Sequence, residues 1–266
     1  MIRAVVFDWA GTMIDFGSRA PVVALLRLFK ANGLPITEAE ARADMGRAKR
    51  DHIAALLAAP RIAAAWQAAH GSAPTAADGD RLHDAILPEM QAAARDCATL
   101  IPGAADLVRR LRAQGVGIGS STGYTRAMMA DILPAAAAQG YAPDVVVCAG
   151  DTREGRPSPL MLWRNLVELG AWPASACVKV DDAAVGIAEG RGGGTWTVGV
   201  TASGNGVGLA EDALAALPPA ERSARIAAAG APLLEAGAHY LVETVAALDP
   251  VLAEIAARIA AGDRPG

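Results

Sequence analysis

Five short runs rich in Val and Ile, each followed by small or polar residues, constrain this 266-residue chain more than any other feature. They span residues 4–7, 116–120, 144–148, 177–180 and 195–200. None shows the sustained apolar–polar alternation of a half-exposed strand, so each reads as a strand buried on both faces. Helical segments at 104–114, 126–138, 159–169 and 184–190 separate most of them. Strands alternating with helices predict an α/β fold, a parallel sheet with helices on both faces. A sixth apolar run, 239–242, adds an edge strand before a C-terminal helix.

Residues 19–99 break the pattern. This stretch is Ala-rich, helical by period, and offers no strand-like run. Thr37-Glu38-Ala39-Glu40 is a capping box, with Glu40 three residues after Thr37, so a helix starts there. Pro60, Pro74 and Pro88 punctuate the helices that follow. Ile101-Pro102-Gly103 then returns the chain to strand–helix alternation. The organisation expected is an α/β core made of 1–18 and 100–266, with a helical cap, 19–99, inserted after the first strand.

Hydrophobic residues make up 53% of the chain and charged residues 20%, enough to fill such a core and too apolar for disorder. The net charge of −4 argues against a nucleic-acid or anionic-membrane partner. No apolar run approaches the ~18 residues of a transmembrane helix. A strand-like run opens at Ile2, leaving no room for a signal peptide and pointing to the cytoplasm. Cys97, Cys148 and Cys177 are odd in number and lack CxxC spacing, which fits a reduced protein without a structural zinc. The glycine cluster at 190–194 follows a helix rather than a strand, so it is not a dinucleotide fingerprint. Only Lys30, Lys49 and Lys179 among the 24 basic residues are lysines, so a Lys here raises the question whether an amine is needed.

In an open parallel sheet, ligands bind beyond the carboxyl ends of the strands. Four such ends carry reactive groups: Asp8; Ser120-Ser121-Thr122-Gly123; the loop Gly155-Arg156-Pro157-Ser158-Pro159; and Asp181-Asp182. A nucleophilic carboxylate, a hydroxyl with a free N–H, a cation and further carboxylates suit a dianionic phosphoryl group plus Mg²⁺. Two residues past Asp8, where a second acid could donate a proton, stands Ala10. Met45, Lys49, His52 and Leu56 fall at i, i+4, i+7 and i+11, one helix face, with Arg47 and Arg50 pointing elsewhere. A free amine with a pKa of ~10.4 is only about 0.1% neutral at pH ~7.4. Burial under the cap and nearby cations are expected to depress that pKa.

DWAGT, MGRAKRDH, SSTGYTR, GRPSP and KVDDA, in this order, resemble the haloacid dehalogenase superfamily of phosphoryl-transfer enzymes, and within it the phosphonatases. The resemblance covers nearly the whole chain. It implies a Rossmannoid parallel sheet with an inserted cap, Mg²⁺, no organic cofactor, and a small-molecule phosphonate as substrate. It implies that Asp8 takes the phosphoryl group, that Asp8, Asp182 and the Ala10 carbonyl bind the metal, and that Thr122, the Gly123 amide and Arg156 hold phosphoryl oxygens. Lys49 matches the family's Schiff-base lysine. The implied reaction cleaves phosphonoacetaldehyde, a product of 2-aminoethylphosphonate degradation, to acetaldehyde and phosphate. Because the carbon fragment leaves as an enamine, the acid missing at Ala10 is expected. Met45, His52, Tyr124 and Ser18 would wall the aldehyde pocket, with His52 relaying protons. Gly186 stands where the superfamily can show a further acid, so water is expected to fill that position, and Asp181 is a weaker ligand candidate than Asp182. A homodimer through the cap helices is implied, and the apolar stretch 62–66 could serve it or be a buried core helix.

Two rivals remain open on sequence. A capped Mg²⁺-dependent phosphatase or phosphomutase would act on a C–O–P ester, and Ala10 argues against it because an alkoxide needs a proton donor. A non-catalytic binding protein is opposed by the joint presence of Asp8, Lys49, Thr122, Arg156 and Asp182.

Overall fold

The computed structural model describes the backbone of residues 1–266 and every side chain except those of residues 94–96. The first strand, β1 (Ala4–Phe7), is buried along its whole length. Five helices follow: α1 (Arg19–Ala31), α2 (Glu38–Ala43), α3 (Lys49–Ala58), α4 (Pro60–His70) and α5 (Ala76–Cys97). The chain then runs through α6 (Ala104–Ala113), β2 (Gly117–Thr122), α7 (Arg126–Met129), α8 (Ile132–Ala138) and β3 (Val145–Cys148). Next come α9 (Leu160–Glu168), β4 (Cys177–Asp181), α10 (Ala184–Gly192) and β5 (Trp196–Val200). It ends with α11 (Glu211–Ala215), α12 (Pro219–Glu235), β6 (Tyr240–Val242) and α13 (Leu248–Ala260).

The six strands form one parallel sheet in the order β3-β2-β1-β4-β5-β6. The chain winds outward from β1 to β3, crosses back to β4, and winds outward the other way. The order therefore reverses beside β1, and the crevice lies at its carboxyl end. Burial of both faces explains the continuous apolar runs. Val5 and Phe7 share a core with Leu107 and Leu111 of α6 and Leu252 and Ile255 of α13, whereas Ala4 and Val6 pack with Leu162 and Leu166 of α9. No described helix is long and apolar enough to cross a membrane.

The helical segments depart from expectation in two places. Residues 126–138 form two helices, α7 and α8. Pro134 lacks an N–H and its ring clashes with the carbonyl four residues back, so a helix can hold it in its first turn but not its middle. Pro88, by contrast, lies inside α5 without ending it, because Leu82, Ile86 and Met90 of that helix are anchored in the core. Ile62 and Trp66 of α4, 0% and 1% exposed, belong to the protein's own core, whereas Ala63, Ala64 and Ala65 between them are not buried. The capping box at Thr37 forms, with Glu40 N–H donating to Thr37 Oγ1 at 3.2 Å and Thr37 N–H to Glu40 Oε2 at 2.8 Å.

The five-helix segment joins the sheet through two chain crossings that lie side by side. Ile14 and Leu100 form an antiparallel bridge, flanked by Asp15 N–H to Thr99 O (3.1 Å) and Ile101 N–H to Met13 O (2.9 Å). Asp15 (φ 56°) and Ser18 (φ 48°) take left-handed backbone conformations in the outgoing crossing. Asp15 offsets that strain by capping α1, its two carboxylate oxygens accepting from Arg19 N–H (3.0 Å) and Ala20 N–H (2.9 Å).

Candidate active site

Asp8 is the first residue past β1, and its N–H still donates to Val180 O of β4 at 3.0 Å. The chain then turns sharply, with Met13 and Ile14 N–H both donating to Trp9 O (2.8 and 3.0 Å). Gly11 takes φ +84°, and a Cβ there would lie 2.4 Å from Asp182 Oδ2. Only glycine allows this turn to lie against Asp182.

A small cavity, ≈ 20 Å³, opens at these strand ends. Asp8, Ala10, Thr122, Gly123, Tyr124 and Asp182 line it from the sheet side; Met45, Gly46, Arg47 and Lys49 line it from the five-helix segment, and Ser18 from the crossing. Two glycines let the layers approach closely. A Cβ on Gly123 would come within 2.5 Å of Arg47 O, and one on Gly46 within 2.9 Å of the Ala183 Cβ.

Arg156, 4% exposed, does not line the cavity but reaches Asp8 from outside it. Its Nη1 lies 2.8 Å from Asp8 Oδ1 and 3.4 Å from Asp181 Oδ2, its Nε 3.2 Å from Glu189 Oε2, and its Nη2 donates to the carbonyl and Oγ of Ser121. Lys179, in the middle of β4, sits 3.1 Å from both Asp181 Oδ2 and Glu189 Oε2 and donates to Ser121 Oγ at 2.7 Å. The sequence reading missed this network. Its signal was a lysine inside a strand buried on both faces, which demands a buried acid, and Asp181 two residues on shares its face.

The same network corrects the expectation for Gly186. A Cβ there would stand 1.9 Å from Asp181 Oδ2, so the Asp181 carboxylate, not water, fills the space. Asp181 Oδ1 accepts Ala183 N–H at 3.0 Å, and Oδ2 faces the two cations.

One carboxylate oxygen from each of Asp8, Asp181 and Asp182 lies within 4.8 Å of the other two. Burial, and then Asp181, push the Asp8 carboxyl up to about 6 against the pull of Arg156 and Lys179. Asp182 is pushed well above its ordinary value by burial and then by Asp8 and Asp181. Asn205 N–H (2.7 Å) and the Thr12 hydroxyl (3.4 Å) donate to it, and no described cation pairs with it. Asp8 and Asp182 thus repel each other across the cavity wall with Ala10 beside them, a donor set that a hard divalent cation fits.

Lys49 is the first residue of α3 and only 2% exposed. Burial lowers its amine to about 8 while Asp8 pulls it back up; no neighbouring cation contributes. Met45 Sδ lies 3.8 Å from Nζ, and the Tyr124 ring centroid 5.7 Å. Met45 is not on α3. It reaches Lys49 from the loop between α2 and α3, where Gly46 (φ +92°) turns the chain. His52 follows Lys49 by one turn, fully buried and off the cavity wall. Burial and then Lys49 lower its pKa to about 3, so it is a neutral imidazole at neutral pH. Burial raises the Tyr124 phenol well above its ordinary value, and Tyr124 N–H donates to Thr122 Oγ1 at 3.1 Å.

A parallel sheet whose central strand ends in a buried carboxylate, beneath an inserted helical segment, defines a hydrolase class. Residues 2–194 match the family model of the haloacid dehalogenase-like hydrolases. The chain is 53% identical over 264 residues to the phosphonoacetaldehyde hydrolase of Paraburkholderia xenovorans (strain LB400), with 99% of each chain covered. It is 52% identical to that of Paraburkholderia phytofirmans at the same coverage. The crystal structure of a phosphonoacetaldehyde hydrolase-like protein from Oleispira antarctica superposes with a TM-score of 0.98 at 43% identity, covering 99% of this chain and 96% of that one. The chain belongs to the phosphonoacetaldehyde hydrolase family of the haloacid dehalogenase-like hydrolases, a family of enzymes.

Proposed function

We propose that the protein hydrolyses phosphonoacetaldehyde to acetaldehyde and phosphate through a Schiff base on Lys49 and an aspartyl phosphate on Asp8. One observation carries this reading. A buried amine with a pKa of about 8 faces the same cavity as Asp8, where position 10 offers no acid. At pH ~7.4 such a pKa leaves about a fifth of the amine neutral, some two-hundredfold more than a free lysine.

A carbon–phosphorus bond resists cleavage because a carbanion leaves poorly. Condensation of the Lys49 amine with the aldehyde, losing water, gives a protonated imine that accepts electrons. An Asp8 oxygen then bonds to phosphorus as the C–P pair moves into the imine, giving an enamine and an acyl phosphate. Protonation of the enamine carbon and hydrolysis of the imine release acetaldehyde and restore the amine. A second water cleaves the acyl phosphate and restores Asp8. Thr122 and the Gly123 N–H hold phosphoryl oxygens, and Arg156 reaches the group from beside Asp8 through Nη1, its Nε and Nη2 being held by Glu189 and Ser121. Met45, Tyr124 and Ser18 wall the aldehyde end, and His52 passes protons only as a neutral imidazole, donor at one nitrogen and acceptor at the other. Asp8, Asp182 and the Ala10 carbonyl would hold Mg²⁺, which when bound offsets their charge and that of the phosphoryl oxygens.

Residues 19–99 act as the cap over a core of 1–18 and 100–266 in this reading. The protein is a cytoplasmic homodimer, which the buried thiols of Cys148 and Cys177 suit; the pairing surface is the apolar groove lined by Ala54, Leu57, Ala58 and Ala63 of α3 and α4. Light scattering that shows a monomer at micromolar concentration would remove the dimer alone.

The reaction is tested by mixing protein, Mg²⁺ and phosphonoacetaldehyde and following acetaldehyde with a coupled dehydrogenase. Asp8→Asn should abolish turnover. Lys49→Arg keeps the charge but cannot form an imine, so activity should fall by several orders of magnitude. Borohydride with the aldehyde should inactivate the native protein and add mass to the Lys49 peptide. Appreciable turnover by Lys49→Arg would leave the phosphatase or phosphomutase reading, with Ala10 unexplained.

A further inference from the structure

Arg42 and Asn205 make a reciprocal contact between the five-helix segment and the sheet. Arg42, in the last turn of α2, sends Nη1 to Gly17 O (3.0 Å) and to Asn205 Oδ1 (3.0 Å), and Nη2 to Gly208 O (3.1 Å). Asn205, in the loop after β5, returns Nδ2 to the Arg42 carbonyl at 3.3 Å. The guanidinium lies flat against the loop, since a Cβ on Gly208 would stand 2.8 Å from Arg42 Cζ. The Arg42 side chain is only 15% exposed.

With a different atom, Asn205 also holds Asp182: its backbone N–H donates to Oδ2 at 2.7 Å. One residue thus grips a carboxylate of the cavity and the end of α2. From that end to Lys49 the chain is short and packed. Gly46 lies against Ala183 and Val185, Arg47 against Gly123, and Met45 touches the Lys49 amine. The amine keeps its position only while this loop keeps its own.

We propose that Asn205 is a positioning residue that couples the two halves of the site. Its side chain clasps Arg42 and thereby holds Lys49 over the strand ends, while its N–H orients Asp182. The catalytic consequence rests on the reading that Lys49 and Asp182 serve one reaction; the clasp itself does not. Because both grips belong to one residue, closure of the segment and placement of Asp182 stabilise each other, and the coupling is reciprocal. With only two chain crossings between the layers, noncovalent contacts of this kind decide what fraction of molecules is closed.

The three lysines provide the test. Lys30 is exposed, Lys49 lies under the segment, and Lys179 is wholly enclosed in the sheet. Metal-free protein is pulsed with trinitrobenzenesulfonate and each lysine is followed by peptide mass spectrometry. Asn205→Ala should speed Lys49 labelling roughly tenfold, as expected for losing a charge-assisted clasp, while Lys179 stays unlabelled. Arg42→Lys keeps the charge but loses the fork, so it should do the same. The double variant should label less than the product of the two single effects, since the Nη1–Asn205 bond is lost in both. Asn205→Asp retains an acceptor for Arg42 and should label more slowly than Asn205→Ala. Lys49 labelling at the native rate in both single variants overturns the proposal, as does parallel exposure of Lys179 in both, which is unfolding rather than opening. Labelling needs no turnover, so failure of the native protein to make acetaldehyde would overturn the proposed reaction and leave the clasp standing.

Discussion

Burying the Lys49 ammonium lowers its pKa from 10.5 to about 8, with Asp8 opposing the shift. The unfolded chain therefore binds this proton more tightly than the folded one. Stability rises with pH between about 8 and 10.5, and the full penalty, on the order of 3 kcal/mol, stands below about 8. Lys49→Met keeps the length and removes the charge, so at neutral pH it should stabilise the protein by about 1–3 kcal/mol in urea unfolding while abolishing turnover. A destabilised Lys49→Met would mean that the amine makes interactions that outweigh its burial. The same group governs rate. kcat/KM should climb as pH rises through about 8, because in the proposed reaction it is the free amine that attacks the aldehyde. A pH–rate profile flat between about 7 and 9 would contradict that assignment. Asp8, Ala10, Thr122 and Asp182 could be picked out in the sequence because each lies at or just past a strand end. Asn205 could not, since nothing near it in the chain announces that two partners converge on it from Arg42 and Asp182.

The strands were legible because a strand buried on both faces lacks the apolar–polar alternation of a half-exposed one, a pattern visible in four or five consecutive residues. Helix ends depended on geometry farther away. Met45 was assigned to the face of Lys49 by spacing alone, but α2 ends at Ala43 and the loop to α3 must turn at Gly46 to pack on the sheet. Helix α10 shows the reverse conflict, between local propensity and tertiary space. Ala in place of Gly within a helix normally gains about 0.5–1 kcal/mol. At Gly186 the new Cβ would fall 1.9 Å from Asp181 Oδ2, and that carboxylate is held by Arg156 and Lys179 and cannot swing away freely. The clash wins. Gly186→Ala should destabilise by about 2–4 kcal/mol, read from the urea midpoint, and reduce turnover by displacing Asp181. A stabilised variant would show that the Asp181 carboxylate is free to move.

Across the whole molecule, the buried charges tie together segments far apart in sequence. Asp8 after β1, Ser121 of β2, Arg156 before α9, Lys179 and Asp181 of β4, and Glu189 of α10 form one enclosed set. Three carboxylates face two cations there, so removing one cation leaves charge without compensation. Lys179→Met should cost about 3–5 kcal/mol in urea unfolding, and adding Glu189→Gln should recover much of that loss. If Lys179→Met is as stable as the native protein, the network carries no such balance. The antiparallel bridge between Ile14 and Leu100 has a consequence of another kind. A stretch of polypeptide whose two ends meet at one spot can be swapped for another of any length without disturbing the strands. In genetic terms it is a cassette. In the proposed reaction the machinery that accepts phosphorus stays with the sheet, the amine that would capture an aldehyde travels with the insert, and recombination at a single pair of junctions could give the same nucleophile a different chemistry.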